Sequence, residues 1–393
     1  MSTATLSDTG RQSGSAVENR SAGGPRILFV AGGTGGHLFP AVAVADKCRE
    51  IMPDAAIRFV GARGRLEEEV IPRAGYELDL LWISGLNRGM SLQNLLLPFK
   101  LMRSVMQARN IVRQFRPDVI VCAGAYVSYP VGLVAGMRNV PLVLMESNAL
   151  PGMVIRRLAA RAEEVHVAFN NTQKYLPGAN VLVSGNPVRK VFGQSVDKAD
   201  ARRHFGLDPN RPTLFVFGGS LGARSVNAAL DGIVGALIAD GIQVIWQTGK
   251  SYQGEEKRDS NLYRSRFIHE MEKGYAAADL VIARAGATTI AELKAVGKPS
   301  ILVPLPTAAD DHQRVNAQAM EAEEASRMIL DADLGSELYG TIVELLAQPG
   351  QLRQMGANAS ALASLDADET IARRVLAKAG YNVLRGQGTT DNS

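Results

Sequence analysis

The chain has 393 residues, 46% of them hydrophobic and 21% charged, with a net charge of +4. That length supports two ordinary domains, each burying its own core, and the charge is too mild for bulk attraction to nucleic acid. The only cysteines, Cys48 and Cys122, form no CxxC pair, which excludes a disulfide scaffold or zinc ribbon and fits a reducing compartment.

Residues 1–24 are rich in Ser, Gly, Thr and Asn and hold no apolar segment, so a disordered extension is expected there, not a signal peptide. No run of about 18 apolar residues is present to span a membrane. From residue 25 apolar strands alternate with amphipathic helices. Strands are expected near 26–31, 56–61, 77–83, 118–122, 141–145, 164–168 and 181–184, with helices between them such as Pro40 to Met52 and Leu92 to Phe115. GNPVRKVF (185–192) reads as a hinge. The pattern then restarts, with strands at 212–217, 242–247, 279–283, 299–304 and 327–330. Asp366 to Ala379 reads as a last helix with no evident docking partner, and 386–393 as a loose tail. The expected fold class is α/β: two doubly wound parallel-sheet domains, 25–184 and 185–365, followed by a helical segment 366–385.

Each half carries a glycine loop straight after a strand, ILFVAGGTGGH (27–37) and LFVFGGSLGA (214–223). A strand that stops at glycines and enters a helix leaves backbone N–H groups aimed at one spot, which suits a phosphate or pyrophosphate. Neither loop is a dinucleotide fingerprint. Leu38 stands where the third glycine belongs, and AIRFVGARG ends without the acid that would hold a ribose. Neither has the Lys-Ser/Thr of a P-loop. In a doubly wound sheet ligands gather beyond the carboxyl ends of the strands, so the cleft between the halves is the expected active site.

From Leu80 to Pro117 there is no acidic residue, while Arg88, Lys100, Arg103, Arg109, Arg113 and Arg116 are basic. Leu92, Leu95, Leu96, Phe99, Met102 and Met106 recur at helical spacing, with Pro98 interrupting. The stretch fits a surface resting on an anionic leaflet, or a core-facing helix with a solvated basic side.

Eight motifs occur in a fixed order: GGTGGH (32–37), ISGLNRG (83–89), GAYVSYPVGLVA (124–135), ESNALPG (146–152), GNPVR (185–189), GGSLGA (218–223), RAGATTIAE (284–292) and DDHQRVNA (310–317). Together they resemble the MurG family of bacterial peptidoglycan N-acetylglucosaminyltransferases. The resemblance implies a GT-B glycosyltransferase at the cytoplasmic face of the inner membrane, beside other cell-wall synthesis proteins. It implies inverting transfer of N-acetylglucosamine from UDP-GlcNAc to the 4-hydroxyl of the muramyl sugar on undecaprenyl pyrophosphate (lipid I), giving lipid II. A related enzyme glycosylating another lipid, a UDP-GlcNAc epimerase and a non-catalytic UDP-GlcNAc sensor are the other readings.

A UDP-sugar needs a diphosphate cradle, a ribose clamp and a reader for the base. Gly218, Gly219 and Ser220, opening a helix from Leu221, are the cradle candidates, with Ser220 as ligand or N-cap. Gly286, Ala287, Thr288, Thr289, Ile290 and Ala291 supply a second loop-to-helix start, and Glu292 offers two acceptor oxygens to vicinal ribose hydroxyls. By the resemblance, Ile268 offers its backbone to uracil, Gln313 and Asn148 read sugar hydroxyls, and Arg189 sits on the hinge near the nucleotide. Thr34, Gly35 and Gly36 of the first loop would meet the acceptor. Two departures from the family pattern concern donor contacts: Leu221 replaces a Gln or Arg, and MESN (145–148) replaces HEQN.

Inverting transfer needs a base for the acceptor hydroxyl. His37 closes the first loop and is expected to titrate near neutrality, as base or as a group positioning the acceptor; Glu146 is the rival base. Helix N-termini would meet the leaving group's charge, so no cofactor and no metal is expected. Asp331-Ala332-Asp333 and Asp366-Ala367-Asp368 precede helical patterns and read as N-caps.

Overall fold

The computed structural model describes residues 23–33, 35–83, 97–219 and 221–381. The first sheet holds β1 (Arg26–Val30), β2 (Ala56–Ala62), β3 (Glu77–Leu81), β4 (Val119–Cys122), β5 (Leu142–Glu146), β6 (Glu164–Val167) and β7 (Val181–Val183). Its order is β3-β2-β1-β4-β5-β6-β7, with every pairing parallel. The second holds β8 (Thr213–Phe217), β9 (Gln243–Gln247), β10 (Lys257–Arg258), β11 (Leu262–Ser265), β12 (Leu280–Arg284), β13 (Ser300–Val303) and β14 (Ser326–Met328). Its order is β10-β11-β9-β8-β12-β13-β14, and only the edge strand β10 runs antiparallel.

The central strands are short continuous apolar runs, VIVC in β4 and TLFVF in β8, buried throughout. Such runs are what a parallel sheet covered by helices on both faces requires. In each sheet the strand order reverses beside the first strand, between β1 and β4 and between β8 and β12. The two glycine loops leave the carboxyl ends of β1 and β8 at those switch points, where α/β sheets bind ligands.

Three expectations are corrected. The helix after the first loop runs Gly35–Ile51, five residues earlier than expected, and carries Pro40 inside it. Pro40 has no N–H for the Gly36 carbonyl one turn back, and Ser147 Oγ lies 3.4 Å from that carbonyl. The helix after the second loop begins at Arg224, not Leu221. In the basic stretch a helix spans Leu97–Phe115, so Pro98 falls in its first turn and does not interrupt it. Leu92, Leu95, Leu96, Arg88 and most of the ISGLNRG motif lie outside the described residues.

The helix Ala367–Lys378 does not stay with the second sheet. Ile371, Ala372, Val375 and Leu376 pack into one core with Ile27, Leu38 and Val44, so the end of the chain covers the helix Gly35–Ile51. A buried ion cluster accompanies this contact. Arg374 Nε donates to Glu164 Oε2 at 2.7 Å, Lys378 Nζ lies 3.2 Å from Glu164 Oε1, and His166 Nε2 lies 3.4 Å from Oε2. Burial opposes ionisation of Glu164, but His166, Arg374 and Lys378 outweigh it and hold the carboxyl far below its usual range. The two halves are therefore joined twice, at the hinge and by this returning helix.

Candidate active site

The first loop leaves β1 at Ala31 and enters the helix at Gly35, with Gly33 at φ +83°. His37 lies in the first turn of that helix. Its ring packs on Gly124, where a Cβ would sit 3.0 Å from Cδ2. Burial, and then the charge of His312, push its pKa down to about 4, against a raising hydrogen bond with the Gly32 backbone. Titration near neutrality is thus corrected: the imidazole is neutral at physiological pH. His312 opens the helix His312–Ala322 of the second half, so the two histidines approach from opposite sides of the cleft.

Glu146 ends β5 and is 4% exposed. Its Oε1 accepts the Asn148 N–H at 2.9 Å and Asn148 Nδ2 at 3.2 Å, and its Oε2 accepts the Gly152 N–H at 2.8 Å. Burial raises its pKa, while the hydrogen bonds from Asn148 and Gly152 pull against that rise. Both oxygens are occupied in folding the 146–152 loop. Asn148 in turn meets the second half: its Oδ1 accepts Asn316 Nδ2 at 3.2 Å, which also donates to the Ala285 carbonyl at 3.1 Å. Asn316 Oδ1 accepts the Ala149 N–H at 2.8 Å. Ser147 Oγ donates to Asn186 Oδ1 at 2.9 Å. A polar seam therefore ties the first sheet, the hinge and the second sheet together beside His37. Asn316 was not singled out from sequence, although it lies in DDHQRVNA one helical turn from His312.

In the second half the loop after β8 is folded tightly. A Cβ at Gly218 would lie 2.3 Å from the Ala223 nitrogen, and Gly222, at φ +84°, would place one 2.1 Å from the Thr248 carbonyl oxygen. Leu221 is 71% exposed. Thr34 and Ser220 lie outside the described residues. Gln247, at the end of β9, connects two parts of the expected donor site. Its Nε2 donates to the Gly219 carbonyl at 3.3 Å and its Oε1 accepts the Ile268 N–H at 2.9 Å. The Ile268 amide is thus already used. Gln247 was missed because a lone glutamine ending a strand carries no sequence signal.

The helix Ala287–Val296 starts from Gly286 in extended conformation. Ala287, Thr288 and Thr289 stand at its N-terminus, where backbone donors are free of helical partners. Ile290 does not fit that set: its side chain is in the core and its N–H donates to the Gly286 carbonyl at 3.0 Å. Ala291 is likewise buried. Glu292 Oε2 accepts from the Tyr275 hydroxyl at 2.8 Å. Burial lifts the Glu292 pKa to about 7, against the Tyr275 hydrogen bond and the charge of Arg189. Arg189 itself lies over the Phe192 ring at 4.6 Å. Gln313 Oε1 accepts the Leu305 N–H at 3.0 Å.

The acidic pairs do not cap helices through their side chains. Asp331 Oδ1 accepts from Arg284 and from Ser225 Oγ, the latter at 2.7 Å, which braces the start of the helix Arg224–Ala239. Asp333 and Asp366 occupy N-cap positions without a side-chain bond to the helix backbone.

Residues 27–167 match the model of the glycosyltransferase family 28 N-terminal domain, and residues 213–371 that of its C-terminal domain. The chain belongs to glycosyltransferase family 28. It is 40% identical over 353 residues, 89% of the chain and 96% of the relative, to a protein of Cytophaga hutchinsonii. That relative is named UDP-N-acetylglucosamine–N-acetylmuramyl-(pentapeptide) pyrophosphoryl-undecaprenol N-acetylglucosamine transferase. A Salinibacter ruber protein of the same name is 40% identical over 90% of the chain and 97% of its own length. The crystal structure of Acinetobacter baumannii MurG matches with a TM-score of 0.74 and 26% identity, covering 89% of this chain and 99% of that one. A Neisseria meningitidis UDP-GlcNAc 2-epimerase shares the fold, with a TM-score of 0.61 at 14% identity. The two-sheet GT-B architecture expected from sequence is the one observed.

Proposed function

We propose that this family 28 enzyme moves N-acetylglucosamine from UDP-GlcNAc to the 4-hydroxyl of the muramyl sugar of undecaprenyl-pyrophosphoryl-linked lipid I, giving lipid II. The observation that carries the reading is full-length likeness to transferases of that name, combined with a loop at each switch point and a seam that brings His37 beside the second sheet.

The donor belongs to the second half. Backbone donors of Gly218, Gly219, Ser220 and Ala287 to Thr289 take the diphosphate, and Glu292 accepts from the ribose hydroxyls. Ile268 meets uracil through its carbonyl, unless Gln247 releases the amide. The acceptor lies against the first half. Its 4-hydroxyl oxygen attacks the anomeric carbon as the bond to the β-phosphate oxygen breaks. The electron pair leaves on the diphosphate and the proton passes to His37. Neutral His37 is ready to accept, and although burial makes it a weaker base than a histidine titrating near the working pH, the proton becomes strongly acidic as the new bond forms. Glu146 shapes the loop that carries Asn148. Donors at the helix starts stabilise departing UDP without reorganising.

The lipid tail places the enzyme at a membrane surface. No described helix is long and apolar enough to cross one. Phe99, Met102 and Met106 are each at least 60% exposed on the helix Leu97–Phe115, and Lys100 and Arg103 both lie 5.6 Å from the Trp82 ring. Apolar side chains ringed by cations suit an anionic leaflet on the cytoplasmic side, each cation contributing about 1 kcal/mol.

Incubation with labelled UDP-GlcNAc and a lipid I analogue should yield a product heavier by one N-acetylhexosamine. Free N-acetylmannosamine or its UDP conjugate would mark an epimerase instead. Sedimentation with vesicles should show binding that rises with anionic lipid and falls when Phe99 and Met102 are both changed to serine. Equal binding to neutral vesicles would remove the electrostatic part of the membrane reading.

A further inference from the structure

A carboxylate lies beneath the first glycine loop. Glu67 opens the helix Glu67–Arg73 and is fully buried. Its Oε1 accepts the Ala62 N–H at 3.0 Å and its Oε2 accepts the Gly33 N–H at 3.3 Å. One side chain thus ties the end of β2 to the loop that follows β1. The surroundings leave it little freedom. A Cβ at Gly32 would lie 2.4 Å from Oε1, and one at Gly61 would lie 2.6 Å from Cγ. A side chain at either glycine, one in the loop and the other within β2, would therefore displace the carboxylate from this position.

This bond changes what the loop can do. The Gly33 N–H points back into the protein, at φ +83°, and is withdrawn from any anion in the cleft. An acceptor-only carboxylate under the loop also opposes a second negative group there. What the loop still delivers is the first turn of the helix Gly35–Ile51, and with it the direction of the His37 ring against Gly124.

We infer that Glu67 is a positioning residue for the transfer: it pins the first glycine loop from behind so that His37 faces the acceptor hydroxyl, and it leaves recognition of the acceptor's pyrophosphate to groups other than Gly33. The inference rests on the reading of His37 as the base.

Two variants test it. Glu67→Gln keeps the shape but turns an amide NH₂ toward one of the two backbone donors, and Gly32→Ala displaces the carboxylate without altering it. Each is measured for UDP-GlcNAc binding by calorimetry, for turnover of a lipid I analogue, and by NMR of the five histidines. Expected are donor affinity within about twofold of the native enzyme, kcat lower by at least about tenfold, and acceptor KM within about threefold. The His37 resonances shift, while those of His204 and His269 in the second half hold. The proposal is overturned if kcat stays within about twofold in both variants, or if donor binding is lost together with turnover. Unmoved His37 resonances overturn it equally. That spectrum needs no turnover, so a native enzyme that made no product would end the functional reading while leaving the Glu67 test intact.

Discussion

The loops after β1 and β8 share a glycine-rich spelling and a place at a switch point, yet they are built for different purposes. The first is backed by the buried Glu67 carboxylate, which consumes one of its amides. The second is closed by backbone against backbone, Gly218 on Ala223 and Gly222 on Thr248, and braced by Arg284 through Ser225 and Asp331. The Glu67 carboxylate rests on backbone N–H groups, whereas the Arg284 charge is met by the Asp331 carboxylate, so the second loop is backed by an ion pair and not by an acid held on amides. Two similar nests of amides need not both bind anions. We therefore propose a phosphate cradle for the second loop and not for the first.

The sharpest way to break this contrast is His37→Ala. General-base loss should lower kcat by about 10²- to 10³-fold with UDP-GlcNAc affinity unchanged. An equal loss of donor affinity would show that the first loop also holds the nucleotide. A smaller effect is expected in the second half. Glu292→Gln removes a charge-assisted acceptor, worth about 1.5–3 kcal/mol, so the dissociation constant for UDP-GlcNAc should rise about tenfold or more.

The two halves should also separate by pH. His37 is deprotonated above about 4, so its limb in kcat lies far into acid and turnover is flat through neutrality. Glu292 ionises near 7, so donor affinity should strengthen as pH rises through that value, and Glu292→Gln should flatten the dependence. Calorimetry against pH, paired with kcat profiles, checks both. A neutral-pH limb in kcat that vanishes in His37→Ala would contradict the enclosed imidazole.

Much of this was legible in the chain. Buried parallel strands announce themselves as VIVC, LVLME or TLFVF, because only a two-sided core tolerates such runs. The edge strand β10 and its neighbour β11 escaped, since KR is all charge and LYRS mixes charge with apolar side chains, so both look like loop. Pro40 misplaced the start of the first long helix. A proline ordinarily ends or begins a helix, and here the carbonyl it orphans lies beside the Ser147 hydroxyl, more than a hundred positions away. The order of motifs led to the cleft, but Glu67, Gln247 and Asn316 act through contacts with backbone from other elements. Only Asn316 sits in one of the motifs, and the low pKa of His37 depends first on burial and then on a histidine from the opposite half.

The return of Ala367–Lys378 to the first sheet has a consequence for biogenesis. Synthesis runs from the amino end, so the apolar surface around Leu38 and Val44 is made long before Ile371 and Val375 emerge to cover it. The amino-terminal lobe stays unfinished while the whole second lobe is being translated. Throughout that interval it presents a sticky flank to the cytoplasm, where a holding chaperone would find a ready client and a chain cut short would leave an aggregating fragment.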